Sequence, residues 1–210
     1  MKLGFIGTGK ITSSVVTGIC RSKISFKKIL VSSRNRNVAR KLKKQFRKVS
    51  IAKNNQEIVN SCNWIFLAVT PPVGQKIIKH LKFRSSQTIV SFISTMTLPQ
   101  LKKVIKVKAK IVRAIPLPPI SLRKGPVPVF PPNKKVRNFF NKLGTTVEIK
   151  NEKGETVEHT PEFVSTIFDE ELEKLLSELP EDASDKTRET FKEARRISEE
   201  MITTGQFDPI

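Results

Sequence analysis

The chain has 210 residues, of which 38% are hydrophobic and 28% charged, and its net charge is +20 at pH 7. This length and hydrophobic content exclude an intrinsically disordered protein and predict one full domain with a smaller addition. No apolar stretch approaches the roughly 18 residues of a membrane-spanning helix. Since the first residues lead directly into a strand-like run, we expect neither a signal peptide nor a membrane span.

The cysteines and histidines predict no metal site. Cys20 and Cys62 lack the spacing of metal ligands or of a redox pair, which fits a reducing, cytoplasmic compartment. His80 and His159 are the only histidines, and neither lies in a cluster that could bind a metal or form a catalytic triad. The chain has no tyrosine, which excludes the Tyr-Lys pair of short-chain dehydrogenases.

Charge is divided unevenly along the chain. Residues 1–150 hold 32 of the 39 basic residues and 2 of the 19 acidic ones, whereas residues 151–210 hold 7 and 17. This asymmetry predicts a domain boundary near Lys150. A basic domain attracts polyanions such as phosphate cofactors or nucleic acid, although a general enrichment in lysine would give the same composition.

Apolar, β-branched runs alternate with amphipathic segments through the first 150 residues. This pattern is typical of βαβ units and predicts an α/β fold, a doubly wound Rossmann-type domain with a mostly parallel sheet. Strands are predicted at Leu3–Ile6, Ile29–Ser32, Val49–Ile51, Trp64–Val69, Thr88–Ile93, Ile111–Ile115, Val127–Phe130 and Thr146–Ile149. Helices are predicted at Ile11–Arg21, Asn37–Phe46, Asn55–Asn60, Val73–Leu81, Leu98–Ile105 and Lys134–Leu143.

The segment from Pro116 to Pro132 is rich in proline. Proline lacks a backbone N–H and disfavours both regular helix and a central strand. We therefore expect neither regular helix nor a central strand in this segment, but an ordered, extended loop at the strand ends.

Residues 151–210 are predicted to form an acidic helical tail. Thr160 and Pro161 suit the start of a helix, whose apolar residues recur at helical spacing as far as Leu179, and a second amphipathic helix is predicted to end near Ile202. Two such helices cannot bury their apolar faces alone. We therefore expect the tail to pack on the first domain or to form a homodimer; the alternative is a tail that hangs free.

A glycine-rich sequence follows the first predicted strand and opens the first predicted helix. Residues 7–12 read Gly-Thr-Gly-Lys-Ile-Thr, a variant of the G-x-G-x-x-G dinucleotide fingerprint in which Thr12 replaces the small third residue. The first glycine permits a tight turn, and the second lets a pyrophosphate approach the amino end of the helix. The residues predicted to bind the cofactor here are Gly7, Thr8, Gly9, Lys10 and Ile11. A merely structural turn is the alternative.

No acidic residue follows the second predicted strand, where NAD enzymes carry an Asp or Glu for the ribose 2′-OH. Ser33, Arg34, Asn35 and Arg36 stand there instead, and their hydroxyl, guanidinium and amide groups can hold a 2′-phosphate. The sequence therefore predicts NADP(H) as the cofactor. Alternatively, Arg34 and Arg36 belong to the general excess of basic residues.

Four segments carry further motifs at the ends of predicted strands. They are Gly4–Gly9, Phe66–Pro71, Ile89–Ser94 and Val112–Pro116. In order and spacing they resemble the N-terminal half of the pyrroline-5-carboxylate reductase family, with the 3-hydroxyacid dehydrogenases the next most similar. The resemblance implies an NADP(H)-dependent oxidoreductase of proline biosynthesis that reduces a small imine or carbonyl substrate. The further residues that it implies at the cofactor are Ala68, Val69, Thr70 and Pro71.

The sequence also departs from the family pattern. Thr70 replaces the usual Lys, Leu117-Pro118-Pro119 replaces Asn-Thr-Pro, and residues 151–210 match neither the helical dimerisation domain nor its substrate loop. The catalytic residues are thus unknown, and the strand-end candidates are Thr70, Ser94 and Thr95, with Pro71 and Pro116 beside them. One alternative function is a non-catalytic nucleotide-binding or regulatory protein. Another is a basic RNA-binding module, which predicts aromatic residues interleaved with basic ones on one surface.

Overall fold

The computed structural model of the protein describes residues 1–149, so the predicted boundary near Lys150 and the predicted acidic tail lie outside the described residues. Its strands are β1 (Lys2–Ile6), β2 (Lys28–Val31), β3 (Val49–Ile51), β4 (Trp64–Leu67), β5 (Thr88–Ser91), β6 (Lys110–Ala114), β7 (Pro126–Phe130) and β8 (Thr145–Glu148). Its α-helices are α1 (Lys10–Arg21), α2 (Arg36–Gln45), α3 (Asn55–Ser61), α4 (Pro71–Ile78), α5 (Leu98–Ile105) and α6 (Lys134–Phe140). A short 3-10 helix spans Pro118–Leu122.

The strands form one sheet in the order β3-β2-β1-β4-β5-β6-β7-β8. The first six run parallel, β7 is antiparallel to β6, and β8 is parallel to β7. The predicted doubly wound, mostly parallel fold is confirmed. Because the chain leaves β1 for β2 on one side and reaches β4 on the other, the carboxyl ends of β1 and β4 border the crevice at which such sheets bind ligands.

Two hydrophobic clusters cover the two faces of the sheet. The first joins α1, α2 and α6 to the sheet and contains the buried aromatic residues Phe5, Trp64, Phe66 and Phe139. The rings of Phe5 and Phe66 stack with centroids 4.4 Å apart, and those of Trp64 and Phe139 are 4.8 Å apart. The second cluster packs α3, α4 and α5 on the opposite face. Burial of both faces explains why the strands are almost wholly apolar in sequence.

The expectation of an extended loop from Pro116 to Pro132 was partly wrong, because the segment contains the 3-10 helix and β7, which has a neighbour on each side. The hydrogen bonds explain how a strand with two prolines fits there. The carbonyls of Gly125 and Val129 accept from β8, whereas the carbonyl of Pro128 accepts from Ile115. The proline nitrogens, which carry no hydrogen, thus point toward β6. The pairing between β6 and β7 is short.

No helix within residues 1–149 has the length and apolar content required to cross a bilayer.

Phe66 offers a direct test of the aromatic packing in this core. Its side chain is fully buried and contacts the rings of Phe5, Phe92 and Phe139. We expect Phe66→Ala to lower the free energy of unfolding by about 3–5 kcal/mol, since it removes buried contacts and leaves a cavity, and Phe66→Leu to cost less. Urea denaturation measures both, with the exposed Leu122→Ala as control; a loss below about 1 kcal/mol in Phe66→Ala would contradict this packing.

Candidate functional site

A cavity of about 670 Å³ lies at the carboxyl ends of β1, β2 and β4. It lies in the crevice where the chain changes direction across the sheet. Seven of the residues predicted to bind a cofactor line it: Gly7, Thr8, Gly9, Arg34, Asn35, Val69 and Thr70. The fold therefore brings together three loops that are distant in sequence.

The lining also differs in part from the prediction. Five predicted residues are not among the lining residues: Lys10, Ile11, Ser33, Ala68 and Pro71. Five lining residues were missed: Ser32, Asn37, Asn55, Val73 and Ile77. Arg36, which belongs to the acid-free loop after β2, lines the cavity as well. Val73 and Ile77 are one helical turn apart on α4. Core residues have the same spacing, so the sequence pattern does not distinguish a cavity wall from the core. Asn55 begins α3 just after β3. Its position at the carboxyl edge of the sheet could have identified it as a lining residue from the sequence.

Gly7 and Gly9 fill different geometric roles in the loop between β1 and α1. Gly7 has φ +100°, and a Cβ there would overlap the carbonyl group of Ala68 at the end of β4. Both facts require glycine. Gly9 has an ordinary extended conformation, and within residues 1–149 a Cβ there would meet no atom within 4 Å apart from those of its chain neighbours. The space beside Gly9 is therefore open to a ligand.

Three side-chain hydroxyls, which we call the hydroxyl cluster (Thr8, Thr12 and Ser32), hold this loop. The Gly7 N–H donates to Ser32 Oγ at 3.0 Å, and Thr12 Oγ1 donates to the Gly7 carbonyl at 2.8 Å. Thr8 Oγ1 donates to the Ser32 carbonyl at 2.7 Å and lies 2.9 Å from Ser32 Oγ. The unusual third residue of the fingerprint, Thr12, thus holds the first glycine.

The amino ends of α1 and α4 differ from those of α2, α3, α5 and α6. In those four helices the N-cap side chain accepts a backbone N–H, whereas Gly9 and Thr70 provide no such bond. The bond from Ser13 N–H to the Gly9 carbonyl begins α1, so the N–H groups of its first turn precede the helical ladder and suit an anion. α4 begins with two prolines, which supply no N–H, and presents an apolar wall instead.

The end of β2 gives the cavity a basic side. Arg34 and Arg36 are exposed at its edge, and residues 1–149 contribute no acidic residue to the lining. Asn35 caps α2, because its Oδ1 accepts the Val38 N–H at 3.3 Å. The amide oxygen of Asn35 is thus already engaged, which leaves its NH2 group and the two guanidinium groups as donors for an anion.

The candidates for catalysis are not all at the cavity. Thr70 lines it, but Ser94 and Thr95 do not. The Ser94 carbonyl accepts a hydrogen bond from the side chain of Arg113, and Thr95 is exposed. Pro116, after β6, is buried away from the lining.

Metal and thiol chemistry find no support in the described part of the chain. Within residues 1–149 there is no group of three or more potential metal ligands. Burial raises the pKa of the thiols of Cys20 and Cys62 to about 11, against the opposing effect of nearby basic side chains such as Lys48 and Lys2. Both thiols are therefore protonated and poorly nucleophilic at neutral pH.

The two loop glycines make a matched pair for mutagenesis. We expect Gly7→Ala to destabilise the fold by about 2 kcal/mol or more, because it adds a Cβ at positive φ against the Ala68 carbonyl. Gly9→Ala should leave stability within about 1 kcal/mol of the parent, since its backbone conformation and surroundings accept a methyl group. Thermal unfolding compares them, and equal losses would contradict the loop geometry.

The amino-acid sequence is similar to those of known oxidoreductases. Residues 2–97 match the family described as NADP oxidoreductase coenzyme F420-dependent. The chain is 29% identical over 128 residues to pyrroline-5-carboxylate reductase 3 of Danio rerio, covering 60% of this chain and 44% of the relative. It is 28% identical over 133 residues to pyrroline-5-carboxylate reductase of Escherichia coli (strain K12), covering 62% and 49%. The chain spans about half the length of the curated relatives it matches.

Solved structures give the same likeness in fold. The Plasmodium falciparum pyrroline carboxylate reductase with NADP bound has a TM-score of 0.62 at 20% identity, covering 98% of this chain and 80% of that one. A pyrroline-5-carboxylate reductase from Coxiella burnetii has a TM-score of 0.64 at 19% identity, covering 95% and 76%. The resemblance predicted from the motifs is confirmed: residues 2–97 match an NADP oxidoreductase family, and the chain is similar in sequence and fold to the pyrroline-5-carboxylate reductases.

Proposed function

We propose that the cavity binds NADP(H) and that the protein is an oxidoreductase that reduces a small imine or carbonyl compound, with pyrroline-5-carboxylate as the first candidate substrate. The single observation that carries the proposal is the open space beside Gly9 at the uncapped start of α1. A pyrophosphate fits there, because the backbone can approach it without a Cβ and the helix end provides N–H donors.

The first turn of α1 would hold the pyrophosphate. The backbone N–H groups of Lys10 and Ile11 lie before the first helical hydrogen bond, so they can donate to phosphate oxygens although their side chains do not line the cavity. The helix dipole and the absence of acidic residues in the first turn favour a negative charge at this end.

The end of β2 would select the phosphorylated cofactor. Arg34 and Arg36 place two guanidinium groups beside the start of α2, where charge-assisted hydrogen bonds can hold a 2′-phosphate. Ser33 and the Asn35 amide are further donors at this loop. An NAD-type acidic residue would repel the same phosphate, and the described part of the chain places none in the lining.

The remaining walls suit the rest of the dinucleotide. Val73 and Ile77 on α4 offer an apolar surface for a flat ring such as adenine, facing the polar Asn55 at the start of α3. Thr70 follows β4 on the side of β5 and β6, so the nicotinamide would extend past Val69 and Thr70 toward Ser94 and Thr95. When bound, the reduced nicotinamide supplies the hydride, and the protein binds and orients it.

A second function, nucleotide binding without turnover, is favoured by one observation. The cavity lining contributed by residues 1–149 contains no carboxylate, histidine or cysteine that could move a proton. Reduction of an imine would thus rely on a protonated substrate or on a group from elsewhere. The RNA-binding alternative has less support, because none of the aromatic side chains in residues 1–149 is exposed to stack on bases.

Cofactor preference tests the nucleotide site. We expect NADPH to bind more tightly than NADH, and Arg34→Ala to weaken NADPH about tenfold while NADH changes little, because only NADPH carries the 2′-phosphate. Arg40→Ala is the matched control, since Arg40 is exposed on α2 but does not line the cavity. Fluorescence titration gives the Kd values; equal affinities for the two cofactors in the parent would defeat the NADP(H) proposal.

Turnover tests the enzyme proposal. We expect weak NADPH-dependent reduction of pyrroline-5-carboxylate, because residues 151–210 do not match the substrate loop of the family. Gly9→Ala should abolish the activity, which separates it from a contaminating reductase. Loss of NADPH absorbance measures the rate. NADPH binding without any turnover would favour the non-catalytic alternative, and turnover comparable to that of an ordinary reductase would contradict the expected weakness.

A further inference from the structure

The hydrogen bonds of the hydroxyl cluster have only one consistent arrangement of protons. The Ser32 carbonyl can only accept, so Thr8 must give its single hydroxyl proton to it. Thr8 Oγ1 then accepts from the Ser32 hydroxyl, which leaves Ser32 Oγ as the acceptor of the Gly7 N–H. Every proton in the cluster is used, and the loop between β1 and α1 is closed onto the end of β2.

Gly7 is held on both sides by this cluster. Its N–H donates to Ser32 and its carbonyl accepts from Thr12, so the two peptide groups that flank a residue with φ +100° each have a side-chain partner. Thr8 and Ser32 are each 4% exposed and Thr12 is fully buried. The hydrogen bonds between Thr8 and Ser32 are buried, and the two bonds to Gly7 are part-buried. Hydrogen bonds with reduced access to water are stronger than exposed ones and fix the geometry of the groups that they join.

The location of Thr12 separates an effect on the geometry of the loop from direct contact with a ligand. It does not line the cavity, and its hydroxyl reaches only the back of the loop, at the Gly7 carbonyl. Any effect of this hydroxyl on a ligand must therefore pass through the shape of the loop.

Resting on the proposed nucleotide site, we propose that Thr12 and Ser32 are positioning residues that hold both peptide groups of Gly7 and so preorganise the loop for a pyrophosphate. A loop already in its binding shape loses less conformational entropy when the ligand binds. The pyrophosphate is common to NADPH and NADH. The cluster thus sets the affinity for both cofactors by the same factor, while Arg34 and Arg36 set the preference between them.

The test compares Thr12→Val, which removes the hydroxyl at nearly constant shape, with Thr12→Ser, which retains it. Titration with NADPH and NADH should show that Thr12→Val weakens both about fivefold to tenfold and leaves their ratio unchanged, and that Thr12→Ser is close to the parent. Adenosine 2′-monophosphate, which lacks the pyrophosphate, should bind Thr12→Val as it binds the parent.

Two controls keep the result interpretable. Phe66→Leu lowers stability away from the loop and should leave both cofactor affinities unchanged, so a general loss of stability is separable from a loss of positioning. Thr12→Ala, which also removes the hydroxyl, should repeat the joint weakening if Thr12→Val does not fold.

Cofactor affinities equal to those of the parent in Thr12→Val, or in Thr12→Ala where Thr12→Val does not fold, would overturn the inference. A change in the NADPH to NADH ratio would overturn it too, because the cluster would then act on the 2′-phosphate. A parent that binds neither cofactor would instead overturn the proposed function, and this inference with it.

Discussion

The close approach of Gly7 to the Ala68 carbonyl is the constraint on which the site depends. β1 and β4 are adjacent in the sheet but separated in sequence by two βαβ units, and their carboxyl ends meet where the chain reverses its direction across the sheet. A side chain at Gly7 would separate these ends. Because the glycine permits contact, the loop turns sharply and α1 starts directly above the crevice, with its amino end toward the cavity.

This constraint also explains the distribution of polar groups around the loop. A residue with positive φ beside a neighbouring strand has peptide groups that cannot join the sheet, and buried peptide groups need partners. The hydroxyls of Ser32 and Thr12 supply them from β2 and from α1. The polar atoms that satisfy the turn are thus turned inward, and the N–H groups of the first turn of α1 are left outside the helical ladder.

The groups that line the site suit the binding of phosphates more than the transfer of protons. The lining provides guanidinium, amide and hydroxyl groups, which are groups that bind phosphates, and the part that residues 1–149 contribute holds no carboxylate, histidine or cysteine. A site of this composition suits a cofactor that carries the reactive group itself. The start of α4 does not favour a second anion, because its two prolines have no N–H group to donate, and α4 contributes an apolar wall instead.

The sequence by itself determined the alternation of strands and helices, the parallel fold, the glycine turn and the basic end of β2. These depend on local patterns, and the observed strands differ from the predicted ones by one or two residues at their ends. Only the tertiary structure decided that β7 is an internal strand, because the direction of its proline nitrogens relative to β6 is not visible in the sequence. It likewise decided that Ser32 holds Gly7 across 25 residues, and that Val73 and Ile77 line a cavity, although Ile77 also packs against the core. The physical reason is that such contacts arise only when the sheet order places β2 and β4 on either side of β1.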